Sequence, residues 1–277
     1  MIIAITGSKG FIGSKLTQRL SLNHHILEID SSDDITNPKI FNTSLKFDFL
    51  IHLAAKSYVP KSYENPLDFY RVNIIGTLNA LELCRINNAK MIFFSSYVYG
   101  QPDYLPIDEL HKVDSFNPYS QSKLIGEALC KSYYRDFNVP SIIFRPFNIY
   151  GLNQNANFLL PTIIKMFKEG TVSLNDPRPK RDFIHVDDIV NAVTCAVENP
   201  FEGYEIYNLG SGISFSVEEI VNKINNFHNN NFDISYKNKY RKNEVLDTIA
   251  DISKAKRLLS WEPMVSIDEG LSMLVNN

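Results

Sequence analysis

The apolar run at residues 1–6 ends directly on Gly7-Ser8-Lys9-Gly10-Phe11-Ile12-Gly13, and that loop opens a stretch of helical periodicity at residues 11–22. No other feature restricts the fold as strongly. Three glycines spaced three apart let a backbone turn tightly between strand and helix and approach a pyrophosphate, whose charge then lies at the positive end of the helix. A glycine-rich turn can also be a plain connection; its place after an N-terminal strand is what points to a dinucleotide.

Further short apolar runs bounded by turn residues follow at residues 26–30, 49–54, 91–95 and 141–145, and stretches of helical period lie between them at 66–87 and 119–137. Such alternation predicts buried parallel strands covered by helices on both faces, an α/β, doubly wound Rossmann domain. We place it at residues 1–150. After Gly151 the prolines at 161, 177, 179, 200 and 263 and an Asn-rich run at 225–231 break the pattern, so residues 151–277 read mainly as a smaller mixed α/β substrate lobe. The strongly apolar stretch within it predicts that residues 183–210 cross back to the Rossmann domain.

Composition narrows the function classes. With 28 Lys+Arg against 31 Asp+Glu in 277 residues the formal net charge is −3, and no Lys/Arg-dense stripe offers a nucleic-acid surface. No apolar run approaches the roughly 20 residues of a membrane helix, and the N-terminus lacks a signal-type flank, so a cytoplasmic location is expected. Cys84, Cys130 and Cys195 contain no C-x-x-C, and the six histidines form no pair at ligand spacing, so neither disulfides nor a structural metal is expected.

Asp30 stands 23 residues after Gly7, where an acid at the end of a second strand can accept hydrogen bonds from an adenosine ribose. An isolated aspartate there would otherwise be a turn residue. Ser31 and Ser32 follow it in place of Arg or Lys, which favours NAD over NADP. Tyr119 and Lys123 lie one helical turn apart, so an ammonium sits beside a phenol. To act as a base near neutral pH the phenol must fall by about 3 from its usual pKa of about 10, a change worth about 4 kcal/mol. One cation about 5 Å away contributes about 3 kcal/mol at an effective dielectric of about 20. Lys123 together with the cationic nicotinamide ring meets that requirement. With 14 tyrosines in the chain a Y-x-x-x-K pair alone carries little weight, and the context that supports it is Phe94-Ser95-Ser96-Tyr97-Val98-Tyr99-Gly100 at the carboxyl end of a strand. There Ser95 can bond a substrate hydroxyl and the tyrosine oxygen together, or serve simply as a turn residue.

In this order, the glycine loop, Asp30, His52-Leu53-Ala54-Ala55, Asn73-Ile74-Ile75-Gly76-Thr77, Ser95, Tyr119 with Lys123, Arg145-Pro146-Phe147-Asn148-Ile149-Tyr150-Gly151 and Arg181-Asp182-Phe183-Ile184-His185-Val186-Asp187-Asp188 resemble the extended short-chain dehydrogenase/reductases. The likeness runs on through Tyr207-Asn208-Leu209-Gly210-Ser211-Gly212 to Arg241 and Ala250-Asp251-Ile252-Ser253-Lys254-Ala255. Within that family the chain is most similar to the NAD-dependent nucleotide-sugar epimerase/dehydratase group, the UDP-glucose 4-epimerases in particular. The resemblance implies that Phe11, Ile12, Asp34, Ile35, Leu53, Ala54, Ala55 and Asn73 line the NAD site and that Ser95, Tyr119 and Lys123 are catalytic. It also implies that Asn148, Arg181 and Arg241 hold a nucleotide diphosphate, for which a guanidinium fork is suited. For Arg181 the plainer alternative is a loop charge paired with Asp182. Thr248 falls where the group has a residue whose bulk limits the sugar's C2 substituent, so its small side chain leaves room for an N-acetyl group. By the same resemblance the helices at 66–87 and 119–137 would pair across a two-fold axis into a homodimer.

Dehydratases of this group carry an acidic pair just after the catalytic hydroxyl residue, and here Ser96-Tyr97 stands in those places. Dehydration is therefore not expected. Three readings remain: a 4-epimerase of a nucleotide-diphosphate hexose, an NAD(P)H-dependent reductase of an NDP-4-keto-6-deoxysugar using the same three residues, or a silent dinucleotide-binding regulator on the same fold.

Overall fold

The structure, a computed structural model, describes residues 1–30, 34–37, 46–199, 201–228, 232–240 and 244–276. Strands β1 (Ile2–Thr6), β2 (His25–Ile29), β3 (Phe49–His52), β4 (Lys90–Phe94), β5 (Ser141–Pro146) and β9 (Tyr204–Leu209) form one parallel sheet in the order β2-β1-β3-β4-β5-β9. From β1 the chain runs outward to β2 and then returns to the other side, so the carboxyl ends of β1 and β3 flank a topological switch point. Open α/β sheets bind their ligands there.

The inner strands β1, β3, β4 and β5 are largely apolar and buried because both faces are covered. Ile3, Ile5, Phe49, Ile51, Ile92, Phe94, Ile142 and Phe144 point to one face, where helices α1 (Phe11–Leu20), α7 (Val186–Glu198) and α9 (Ser253–Leu259) cover them. Ala4, Leu50, Met91, Phe93 and Ile143 alternate to the other, under α4 (Gly76–Asn87) and α5 (Pro118–Phe137). Helix α5 lies unusually close to the sheet: a Cβ on Gly126 would be 2.5 Å from Phe93 Cζ. Its start is fixed by Pro118 in the first turn and by the Asn117 side chain, which accepts the Ser120 N–H at 2.8 Å.

The helical period at 66–87 predicts one continuous helix. The structure interrupts it: α2 (Val59–Glu64) and α3 (Pro66–Tyr70) lead into a π-helical turn at Arg71–Ile75 before α4 begins. The widened turn carries Asn73 in the buried interior, 2% exposed.

The smaller lobe consists of β6 (Asn148–Tyr150), α6 (Leu159–Lys168), β7 (Val172–Leu174), β8 (Lys180–His185), β10 (Ser214–Ser216), α8 (Val217–Phe227), β11 (Ile234–Tyr236) and α10 (Ile267–Val275). Its sheets are β10-β8-β6, which is mixed, and the parallel pair β11-β7. Leu160, Ile163, Phe167, Ile220, Val221, Ile224 and Leu271 make up its own core. Besides β9 and α7, Ala255, Leu259 and Trp261 pack into the core of the large sheet, and the Trp261 indole donates to the Asp188 carbonyl at 3.0 Å. No helix among the described residues is long and apolar enough to cross a membrane.

Candidate active site

The glycine loop turns as the sequence requires. Gly7 adopts φ +72°, its N–H donates to the Ile29 carbonyl at 2.7 Å, and its own carbonyl accepts the Gly10 N–H at 3.0 Å. A Cβ at Gly13 would meet that carbonyl at 2.0 Å, and one at Gly7 would meet Ala54 N at 3.0 Å. Glycine is therefore needed for the turn itself and for its contact with the segment after β3. That segment is tied to β1: Leu53 N–H donates to the Thr6 carbonyl and Ala54 N–H to the Thr6 hydroxyl, each at 3.2 Å. No side chain caps the start of α1 at Gly10, and the Ser8 hydroxyl is buried without a hydrogen-bond partner.

Asp30 follows β2 beside this loop, its carboxylate 3.3 Å from the Lys9 ammonium. Ser31 and Ser32 lie outside the described residues. Asp34 accepts both the N–H and the hydroxyl of Thr36, at 3.0 and 2.7 Å, and these bonds hold its carboxyl below the usual range. Ile35 is buried against Gly76. Asp34 thus shapes a turn and Ile35 seats it on the core.

Asn73, which the resemblance places at the NAD site, is held by three hydrogen bonds within the protein. Its amide oxygen accepts the Lys56 N–H at 2.8 Å, and its nitrogen donates to the Lys56 carbonyl at 3.1 Å and to the Ser122 hydroxyl at 2.8 Å. The side chain fastens the segment after Ala55 to α5, one residue from Lys123. A cavity of about 510 Å³, lined by Lys56, Tyr58, Asp68, Phe69, Asn155 and Asn157 among others, begins one residue beyond Ala55.

The two serine hydroxyls at the end of β4 take different sides. Ser95 continues the strand ladder through its N–H to the Phe144 carbonyl, so its side chain shares the face of Met91 and Phe93 and points at α5. There it donates to Glu127 at 2.5 Å, buried, and not to Tyr119. The serine on the side of the phenol is Ser96, whose hydroxyl is near enough to lower the Tyr119 pKa. Burial pushes the Tyr119 pKa up, and the Ser96 hydroxyl opposes it. Lys123 is 4% exposed, donates to the Phe94 carbonyl at 2.8 Å and lies 5.0 Å over the Phe93 ring. Burial brings its pKa down to about 8, so it remains largely an ammonium at neutral pH. Replacing Ser96 with Ala is expected to lower turnover about 10-fold or more, a larger loss than Ser95→Ala, measured side by side as kcat.

Sequence reasoning missed His52. It is 1% exposed, stacks on Phe93, and shares a 2.8 Å bond between Nδ1 and the Thr6 hydroxyl. Burial, reinforced by the Lys123 charge, pushes its pKa down to about 3, so it is neutral in the fold. Unfolded, it takes a proton near pH 6.5. The unfolded chain therefore binds the extra proton first, and stability should fall by about 1.4 kcal/mol per pH unit from pH 6 toward pH 3 through this residue. Urea titrations of the wild type and His52→Gln across that range check it; identical slopes would remove His52 as the cause.

On the substrate side, Arg181 does not pair with Asp182. Its guanidinium donates to the carbonyls of Lys180 and Val245, each at 2.7 Å, and to the Glu244 carboxylate. Asp182 is fully buried and accepts four bonds, from Ser211 N–H at 2.6 Å, the Ser211 hydroxyl at 2.8 Å, and Gly212 and Ala250 N–H at 3.0 Å. Asn148 donates to the Asp182 carbonyl at 3.3 Å. Thr248 is 2% exposed, and its hydroxyl has no partner among the described residues. Arg241 lies outside the described residues. Arg181, Asn148 and Thr248 thus belong to one neighbourhood joined by β6, β8 and the segment leading to Ala250.

A model of the NAD dependent epimerase/dehydratase family matches residues 3–210. The chain belongs to that family. It is 36% identical to a UDP-glucuronate 4-epimerase of Thermodesulfobacterium geofontis over 88% of this chain and 77% of the relative. It is 32% identical to a GDP-6-deoxy-D-talose 4-dehydrogenase of Aggregatibacter actinomycetemcomitans, over 94% and 91% of the two chains. The crystal structure of a UDP-glucuronic acid 4-epimerase from Bacillus cereus, in complex with UDP-glucuronic acid and NAD, superposes with a TM-score of 0.91 at 28% identity, covering 100% and 98%. The protein is an enzyme of the NAD-dependent nucleotide-sugar group, and NAD is its cofactor. Its residues fit that cofactor: the uncapped α1 terminus, the unpartnered Ser8 hydroxyl and a loop with no room for a Cβ form a cradle for a pyrophosphate. Among the described residues no group of three or more His, Cys, Asp or Glu is placed to hold a metal ion.

Proposed function

We propose that this enzyme is a 4-epimerase of a nucleotide-diphosphate hexose, a UDP-hexose first. The observation that carries the reading is that α5 sets Tyr119, beside Ser96, and, one turn on, Lys123, bonded to the Phe94 carbonyl, against the carboxyl end of β4 next to the switch point of the sheet. Tyr119, as phenolate, takes the proton from the sugar 4-hydroxyl, and Ser96 orients that oxygen. Bound NAD supplies reversible hydride acceptance at the same carbon. Lys123 lowers the proton affinity of Tyr119 by its charge. Inversion then requires the 4-ketosugar to present its other face while Arg181, with Asn148 and Arg241, keeps hold of the diphosphate. Neither Ser96-Tyr97 nor Tyr97-Val98 supplies the carboxylates that water loss would need, which removes dehydration from the reading.

The test is incubation of the purified protein with UDP-, GDP-, dTDP- and CDP-sugars without added cofactor, followed by chromatography. Formation of an epimer supports the proposal, and no epimer from any donor contradicts it. Thr248 bears on the choice of sugar. If its small side chain admits an acetamido group, Thr248→Tyr should depress turnover of UDP-N-acetylglucosamine relative to UDP-glucose; an unchanged ratio ends that idea.

The likeness to a GDP-6-deoxy-D-talose 4-dehydrogenase favours a second reading, a 4-ketosugar reductase on the same residues. Stoichiometry separates the two: a reductase consumes one reduced nicotinamide per sugar, an epimerase none. We further propose a cytoplasmic homodimer joined through α4 and α5.

A further inference from the structure

The catalytic helix carries a buried charge that this chemistry does not use. Glu127 lies one turn beyond Lys123, and its side chain is 7% exposed. Arg145 of β5, 5% exposed, grips it in a bidentate pair, Nε to Oε1 at 2.9 Å and Nη2 to Oε2 at 2.6 Å. Ser95 donates to the same carboxylate. The network extends further: Arg145 Nη1 donates to the Tyr99 hydroxyl at 3.1 Å, which donates to Asn208 Oδ1 at 2.5 Å, and Asn208 Nδ2 donates to the Ile107 carbonyl at 2.8 Å. Three neighbouring strand ends, those of β4, β5 and β9, are thereby fastened to α5.

We propose that Glu127 is a positioning residue, which fixes α5, and with it Lys123, against the end of β4 beside an opposite charge, so that the lysine meets the bound dinucleotide. The inference rests on the proposed role of Lys123. Lys123 and Arg145 are two buried cations, and Glu127 is the buried anion of the cluster. The other titratable groups facing Glu127 are the phenols of Tyr99 and Tyr204 and the thiol of Cys130. Burial raises the pKa of all three, so they are neutral near pH 7 and cannot stand in for the carboxylate. Among the described residues Glu127 is the carboxylate that opposes the desolvation of Lys123, from one helical turn away; Cys130 acts in that sense only when ionised, and His52, which also faces Lys123, is neutral.

The experiment is NAD affinity by calorimetry between pH 6 and 9.5, a readout that needs no sugar. In the wild type, affinity should fall as pH rises through about 8, where Lys123 loses its proton, and Lys123→Met should abolish that fall. In Glu127→Gln the midpoint should move down by about one pH unit, because an opposite charge has been taken from the lysine. Should that variant not fold, Glu127→Asp draws the carboxylate back by one methylene while keeping its charge, and a smaller downward displacement is expected. A midpoint left at the wild-type value in either folded variant overturns the role of Glu127 while leaving Lys123 at the dinucleotide. A wild-type affinity that is flat with pH and indifferent to Lys123→Met overturns both assignments.

Discussion

Tyr119→Phe should lower kcat by about 10²–10⁴-fold, or about 3–5 kcal/mol of transition-state stabilisation, with NAD affinity nearly unchanged. The substitution deletes one oxygen from a ring that is otherwise retained, so packing at the start of α5 survives. What is lost is the one group placed to take the sugar proton. The size of the loss follows from how far Tyr119 must be shifted. Burial alone pushes the phenol the wrong way, and the Ser96 hydroxyl opposes that from within the apo enzyme. The remaining shift must come from Lys123 and the cationic ring of the cofactor when it is bound. Near-normal turnover in the variant, measured with the best sugar of the panel, would remove Tyr119 as the base.

Asp182→Ala should destabilise the fold by about 3–5 kcal/mol, read as a lowered urea midpoint at constant m-value. One fully buried carboxylate accepts two N–H groups and a hydroxyl from Ser211-Gly212 and a third N–H from Ala250. Truncation leaves these donors in a site closed to water, and an orphaned buried donor costs about 1–3 kcal/mol. The packing gives no room for rearrangement, since a Cβ on Gly210 would lie 2.6 Å from Asp182 Oδ2. The same joint connects β8, the turn after β9 and the segment bearing Glu244 and Thr248, so substrate contacts should loosen together with the fold. A loss below about 1 kcal/mol would mean that the joint is not structural.

The Rossmann topology was legible because its determinants are local. A Cβ that fits nowhere at Gly13, strands apolar on both faces, and a phenol and an ammonium one turn apart are all written in adjacent residues. The choice between Ser95 and Ser96 was not, because one residue of parity decides which face a side chain takes. Counting the alternation of Met91, Phe93 and Ser95 against α5 would have exposed it. The spacing Tyr119, Lys123, Glu127 was also present in the sequence, but its meaning depended on Arg145 and Ser95 from two other strands. Arg181 and Glu244 meet across 63 positions, and nothing local announces such a pair. The bonds that Asn73 makes to Lys56 and Ser122 were not legible either, because the π-helical turn that directs it inward has no sequence signature of its own.

The most direct measurement uses UDP-glucose carrying deuterium at C4, incubated with the enzyme without added nicotinamide, its product analysed by mass spectrometry and NMR. The proposed mechanism predicts a C4 epimer that retains the deuterium at that carbon. Wash-out of the label into water, or turnover only when reduced nicotinamide is consumed in equal amount, would contradict it.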